Sequence, residues 1–388
     1  MPISSEKSRA FHRFLGLHAF LTGLFPFFIP VYLWQQGHDA GQLSLFIAFT
    51  GTGFVLSLGL WDRIRTVLPF QRLIALTFLV EILLLSAVFL EGKNGFLLLF
   101  GLLNGAYNCF FWITQRALFL ETLASEDTGR KVGNFQIFVM VILKLGIFSG
   151  GLLLDLGGYP WLFLFSLLIA GGGVLSFGLR QIPQPASLQR MPPLGPGAVI
   201  GFHDAHGSRA IFLLDGPFLF LESYFWAVTL FILAHQSFWR LGILVIVLGL
   251  LFSLLFWLIK NRIDHLPTQK VYVIAVAGYA LSWMLRLAVD RPLPTSWLFL
   301  LLVAITFATS FFRLAFNKRF FDLARTRGRH RYLLLKSYWS QASIAVTFLA
   351  MALLASATGL AQDTRLLELG YLLAALCTPL YLLYRPSG

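Results

Sequence analysis

An ionisable side chain inside a long apolar run is costly to keep out of water, so each one is a candidate for chemistry. Lys144 stands near the middle of such a run, between Leu143 and Leu145, too deep to reach water comfortably. It could hold an anionic group of a solute, join a coupling network, or pair structurally with a buried acid. Glu222 stands near the middle of another run. Asp215, seven residues earlier, falls on the same helical face at about 100° per residue. A carboxylate whose surroundings alternate can take up a proton on one side and release it on the other. Glu222 is therefore the candidate coupling acid and Asp215 a second one nearer the start of the run; either could instead partner a basic group structurally. Glu81 is central in a third run and reads more readily as half of a structural pair. Asn104 and Asn108, one turn apart, could bind polar groups of a solute or tie helices together, and His18 and Gln341 offer the same choice. Arg116 and Arg313 lie close to run ends, where snorkelling to the interface accounts for them.

Other chemistries find little support. His203-Asp204-Ala205-His206 places two histidines three residues apart in a polar stretch, and a solvated loop explains that better than a metal. Cys109 and Cys377 both lie in apolar runs and form no ligand spacing. No metal, cofactor or catalytic set is expected, so the chain does not read as an enzyme. It has no Gly-x-x-x-x-Gly-Lys-Ser/Thr loop to hold ATP. A net charge of +13 would suggest nucleic acid in a soluble chain. Here the basic residues sit in short segments between apolar runs, which points to membrane topology and anionic lipid instead.

The elements that must position these residues follow from composition. Hydrophobic types make up 57% of the 388 residues and charged types 12%. A soluble domain averages about 25% charged residues, so lipid must cover much of this surface. With a span taken as about 20 apolar residues, spans fall at roughly 14–34, 41–60, 72–91, 95–117, 133–156 and 159–179. A second set falls at roughly 210–234, 241–259, 270–290, 295–317, 332–357 and 364–384. The polar stretch Arg180–Arg209, with Pro183, Pro185, Pro192, Pro193 and Pro196, is a linker. The expected fold is an all-α membrane protein of about 12 transmembrane helices. It divides into an N-terminal six-helix bundle (1–179), a linker (180–209) and a C-terminal six-helix bundle (210–388). The polar start, Met1–Ala10, precedes a full-length apolar run and predicts no cleaved signal peptide.

Basic residues set the expected orientation. Arg63, Arg65 and Arg72 follow the second span, Arg130 and Lys131 the fourth, Lys260, Arg262 and Lys270 the eighth, and Lys318, Arg319 and Arg325 the tenth. Opposite segments hold few: Lys93, Arg240, Arg291 and Arg365, plus Arg286 at a span end. The positive-inside rule then puts the linker and both termini in the cytoplasm. The chain has no Asn-x-Ser/Thr sequon, which fits a bacterial inner membrane. Asp62-Arg63-Ile64 before Leu68-Pro69 is answered by Asn261-Arg262-Ile263 before Leu266-Pro267. Phe110-Phe111 before Glu121 is answered by Phe311-Phe312 before Asp322. Two matches in one register imply duplication, and an even number of spans per unit makes the repeats parallel.

Two parallel six-helix repeats joined by a linker resemble the major facilitator superfamily. Asp62-Arg63 with Arg65 resembles that family's motif after its second span, although Leu58 and Gly59 shift its first glycine and its second is absent. Gly146-Ile147-Phe148-Ser149-Gly150-Gly151 resembles its fifth-span antiporter motif with Ile147 in place of proline. The resemblance implies secondary transport of a small solute by alternating access. The coupling ion stays open, with Glu222 pointing to protons as one choice; lipids are the surroundings, and Asp62, Arg63, Asn261 and Arg262 read either as a gate at the linker side or as topology-setting loops. Gly146 and Gly150, one turn apart, also read as plain helix packing. The alternatives are a lipid translocase on the same scaffold and, less readily, a polytopic lipid-modifying enzyme.

Overall fold

In a computed structural model the chain is described over residues 5–122, 128–179, 191–264, 268–326, 328–359 and 364–386. Among these residues every regular element is helical. Ten segments are long and apolar enough to cross a membrane. One of them, Phe138–Gly178, is two helices, broken at Gly158 with φ 68° and ψ −170°. A side chain at that positive φ would be strained, which is why glycine occupies the turn. The more polar Thr268–Arg286 completes twelve. In chain order they are α1 (His12–Gln35), α2 (Ala40–Val67), α3 (Phe70–Leu90), α4 (Phe96–Thr122), α5 (128–157) and α6 (159–178). The second set is α7 (Ser208–Leu233), α8 (Phe238–Asp264), α9 (Thr268–Arg286), α10 (Thr295–Thr326), α11 (Arg329–Thr358) and α12 (Arg365–Leu383).

The directions alternate. Phe78 of α3 stacks on Phe177 and Phe89 meets Phe163, so α6 runs antiparallel to α3. At the linker face the Arg385 amide donates to the His206 carbonyl, bringing the end of α12 to the start of α7. At the opposite face Tyr159, beside the Gly158 turn, meets Phe238 at the start of α8.

Close contact between helices is built on glycine. A Cβ at Gly23 would stand 2.1 Å from the Leu143 carbonyl oxygen, and one at Gly146 2.2 Å from that of Phe20. Gly150 approaches the Leu24 carbonyl in the same way. The fifth-helix glycines thus bring α5 against α1, where backbone contact replaces side-chain packing. Two seams join the first six helices to the last six. A Cβ on Gly51 of α2 would lie 2.7 Å from the Ala345 nitrogen of α11, and one on Gly151 of α5 2.9 Å from the Phe238 carbonyl of α8. The repeat relates α2 to α8 and α11 to α5, so the seams are counterparts. Leu156, Leu168, Leu250, Val346 and Leu376 are exposed on the outside, as a lipid-facing surface requires.

Candidate functional site

Pro217 lies inside α7 and lacks the N–H that would close a helical bond to the Leu213 carbonyl. The Ser343 hydroxyl of α11 donates to that carbonyl instead, at 2.6 Å. Just beyond, Leu221–Phe225 widen into a π-helical turn. Such turns recur at functional sites, and Glu222 sits in this one.

Asp215 and Glu222 converge on one guanidinium. Arg313 of α10 donates from Nε to Glu222 Oε2 at 2.8 Å, from Nη1 to Asp215 Oδ1 at 2.5 Å, and from Nη2 to the Tyr279 hydroxyl at 3.2 Å. Tyr279 of α9 donates in turn to Glu222. Lys336 of α11 pairs with Asp215 Oδ2 at 2.9 Å, and the Tyr381 hydroxyl of α12 donates to Oδ1 at 3.1 Å. Asp215 is fully buried, whereas the side chains of Arg313 and Glu222 keep 16% and 13% exposure. The network therefore has a closed end at Asp215 and an accessible end at Glu222. Snorkelling does not describe Arg313, whose three donor nitrogens are spent inside the protein.

Across from it, α4 carries a ladder at four-residue spacing, which places its members on one face. Asn104 Nδ2 donates to the Tyr224 hydroxyl of α7 at 2.8 Å and to Thr50 of α2 at 3.1 Å. Asn108 Nδ2 donates to Asn104 Oδ1 at 3.2 Å, and Trp112 Nε1 to Asn108 Oδ1 at 3.1 Å. Arg116 ends the ladder, its guanidinium 5.7 Å from the Trp112 ring centre. It lies near enough to Asp215 and Arg313 to feel both charges. No direct ion pair between Arg116 and a carboxylate occurs among the described residues. The network's two acids and two bases cancel, so Arg116 is a surplus positive charge between the halves, and Arg286 of α9, bonded to the Ser282 and Thr309 hydroxyls in the field of Glu222, is a second within the C-terminal half.

The other sequence candidates lie elsewhere. Lys144 is at the α5–α8 seam, its stem over Gly249 and its ammonium donating to the Val245 carbonyl at 2.7 Å. It meets neither Glu222 nor Asp215. Gln341 is buried on α11 beside the α2 seam, its Oε1 unpartnered. His18 and Glu81 face each other between α1 and α3, apart from the charged network. Asp62 accepts from Arg65 Nε at 2.7 Å and from the Leu194 amide at 2.7 Å, while Arg65 Nη1 donates to the Met191 carbonyl at 3.0 Å. Arg63 is exposed, so the partner of Asp62 is Arg65 and the linker backbone. Asn261 and Arg262 lie on the backbone of α8 with their side chains outside the described residues. His203 and His206 bond backbone carbonyls of Gly201 and Pro386, and no metal-holding cluster of His, Cys, Asp and Glu occurs among the described residues.

This arrangement of helices is the fold of the major facilitator superfamily. No protein-family model matches the sequence, nor does any curated protein. The likeness is structural. The nucleoside transporter NupG superposes with a TM-score of 0.67 at 14% identity, over 98% of this chain and 100% of that one. A bacterial homologue of the human drug peptide transporters gives 0.67 at 12% identity, over 98% of each chain. A proton-dependent oligopeptide transporter gives 0.65 at 12% identity, with the same coverage.

Proposed function

We propose that this chain is a secondary active transporter that moves a small solute bearing an anionic group by alternating access, with protons as the coupling ion. The observation that carries the reading is the neutral Asp215–Arg313–Glu222–Lys336 network facing the surplus charge of Arg116 across the two halves. The shared fold supports rocking of the halves about a midplane site. A solute anion entering from the accessible end draws on Arg116 and competes with Glu222 for Arg313. The displaced carboxylate is then free to take up a proton, which links solute occupancy to protonation. Asn104 and Asn108 offer amide groups to the uncharged part of the solute. The Asp62–Arg65 clamp on the linker serves as a latch on that face.

The test is transport into proteoliposomes under an imposed pH gradient, with a panel of anionic, zwitterionic and neutral metabolites. Arg116→Gln removes one charge-assisted contact, worth about 1.5–3 kcal/mol, so KM for the anionic solute is expected to rise about 10- to 100-fold. Movement of a fluorescent phospholipid with no solute uptake would overturn the reading in favour of a lipid translocase. In this reading the linker and both termini face the cytoplasm, which the clustering of basic residues on that side supports. Ala205→Cys, in a background lacking Cys109 and Cys377, is expected to react with an impermeant maleimide only after permeabilisation. Labelling in intact cells would reverse the orientation.

A further inference from the structure

His18 of α1 and Glu81 of α3 form a second polar site, in the first six helices. Both are fully buried. His18 Nε2 lies 3.1 Å from the Thr77 hydroxyl, and that hydroxyl donates its one proton to the Ile74 carbonyl at 2.7 Å. Thr77 can then only accept from the imidazole, so Nε2 carries the ring hydrogen of neutral His18 and Nδ1 presents a lone pair. Nδ1 faces Glu81 Oε2 at 3.9 Å, and neither atom has a hydrogen-bond partner. The gap is too long for a direct hydrogen bond and too short to seat a water between them. The ring is clamped between Phe78 at 4.6 Å and Phe111 at 4.0 Å, both stacked on it. It cannot turn to find another acceptor.

Two facing acceptors in an apolar clamp are complete only with one hydrogen between them. Without it, Glu81 is a buried negative charge, which is costly. With it, the pair is either Glu81–OH donating to Nδ1 or an imidazolium beside a carboxylate, and a closing movement of about 1 Å turns the gap into a hydrogen bond. Tyr107 of α4 is the titratable group that reaches Glu81, and its hydroxyl pairs with Thr22 at 2.8 Å. Ionisable side chains on the other packed elements lie elsewhere: Lys144 of α5 donates to Val245, Tyr159 of α6 donates to Gln35, and Arg116 of α4 lies in the field of Asp215 and Arg313. His12, on α1 itself, meets Phe138. The repeat gives independent support. At the offset set by Pro69 and Pro267, Glu81 answers to Tyr279, and His18 falls within one residue of the counterpart of Asp215. Both halves thus carry a polar site on the first and third helices of the repeat, with the acid on α3 in one half and on α7 in the other.

We propose that His18 and Glu81 form a one-proton carrier site, separate from Glu222, so that the transport cycle moves a proton through each half. The proton comes from water and returns to water, with no other bond made or broken. The coupling role rests on the transporter reading above, whereas the site itself does not. Infrared difference spectra of the protein in proteoliposomes, stepped over about pH 4 to 10 without any solute, read the site directly. A deuterium-sensitive carboxylic-acid signal is expected in the native protein and in Glu222→Gln, and is expected to vanish in Glu81→Gln. Glu81→Asp keeps the carboxyl and should move the signal, which decides the matter if Glu81→Gln fails to fold. A native protein without this signal, or a signal unchanged in the Glu81 variants, overturns the site. Protons moved per solute, measured with an entrapped pH dye, are expected to fall by about one in Glu81→Gln; an unchanged ratio overturns the coupling role. A chain that moves no panel compound sinks the transporter reading and leaves the infrared result to decide the site.

Discussion

Arg313→Ala is expected to be the most damaging substitution in the second half of the chain. Among the described residues it leaves Asp215 and Glu222 with Lys336 as the one remaining cation in contact with the pair, and that cation is already bound to the far oxygen of Asp215. Removing one partner of a buried ion pair strands the other, at a cost of about 3–5 kcal/mol. A large fall in the thermal midpoint of the detergent-solubilised protein, followed by tryptophan fluorescence, would report it. Arg313→Lys should recover little, because an ammonium cannot reproduce three donors aimed at Glu222, Asp215 and Tyr279. The double variant Arg313→Met with Glu222→Gln removes both charges and should recover a large part of the loss while abolishing gradient-driven accumulation. A midpoint unchanged in Arg313→Ala would show that the network contributes nothing to the fold.

The second large effect is expected at Gly146. Valine there would put a Cβ 2.2 Å from the Phe20 carbonyl oxygen, and the obstacle is backbone rather than a movable side chain. The helices must part, which forfeits the contact that α1 and α5 make along Gly23, Gly146 and Gly150. Overpacking typically costs about 1–3 kcal/mol, and more where neither side can yield. Gly146→Val should therefore reduce the folded fraction recovered from membranes, read as a monodisperse peak in fluorescence size exclusion. Gly171→Ala is the control, since nothing lies within 4 Å of a Cβ at that position. Equal recovery of the two variants would contradict the close approach.

The twelve helices were legible because lipid demands apolar runs about 20 residues long, and composition alone shows where these lie. The shared face of Asp215 and Glu222 was legible too, because helical periodicity fixes it. Their partner was not. A span ruler stops α10 near residue 317 and leaves Arg313 at an interface, but the helix continues to Thr326 and carries Arg313 thirteen residues in from its end. The same effect hides Arg116, since α4 runs on to Thr122. An apolar ruler measures the hydrocarbon, whereas these helices extend beyond it. The linker contacts of Asp62 and Arg65 and the partner of Lys144 were illegible for another reason: they are the Leu194 amide and the Met191 and Val245 carbonyls, and a carbonyl or amide leaves no mark in residue type. The pairing of His18 with Glu81 depends on how α1 and α3 pack, which neither local pattern encodes.

The linker is held at two points close together. Leu194 is tied to Asp62 of α2, and the Val199 carbonyl accepts from the indole of Trp339 on α11 at 3.1 Å. Five residues of chain reach at most about 18 Å even when fully extended, and Pro196–Ile200 is coiled into a helix that shortens this further. Any parting of the two halves on that side must break an anchor or uncoil the helix. A hydrogen bond to a charged group contributes about 1.5–3 kcal/mol, and each 1.4 kcal/mol is about a tenfold change in population. The resting ensemble is then expected to be weighted against linker-side opening by about one to two orders of magnitude, so that an unloaded molecule waits for most of its time with that entrance shut. A tether outside the membrane would in this way set how long the empty molecule waits with one entrance closed, as a door spring sets the pace of a passage whose direction the crowd decides.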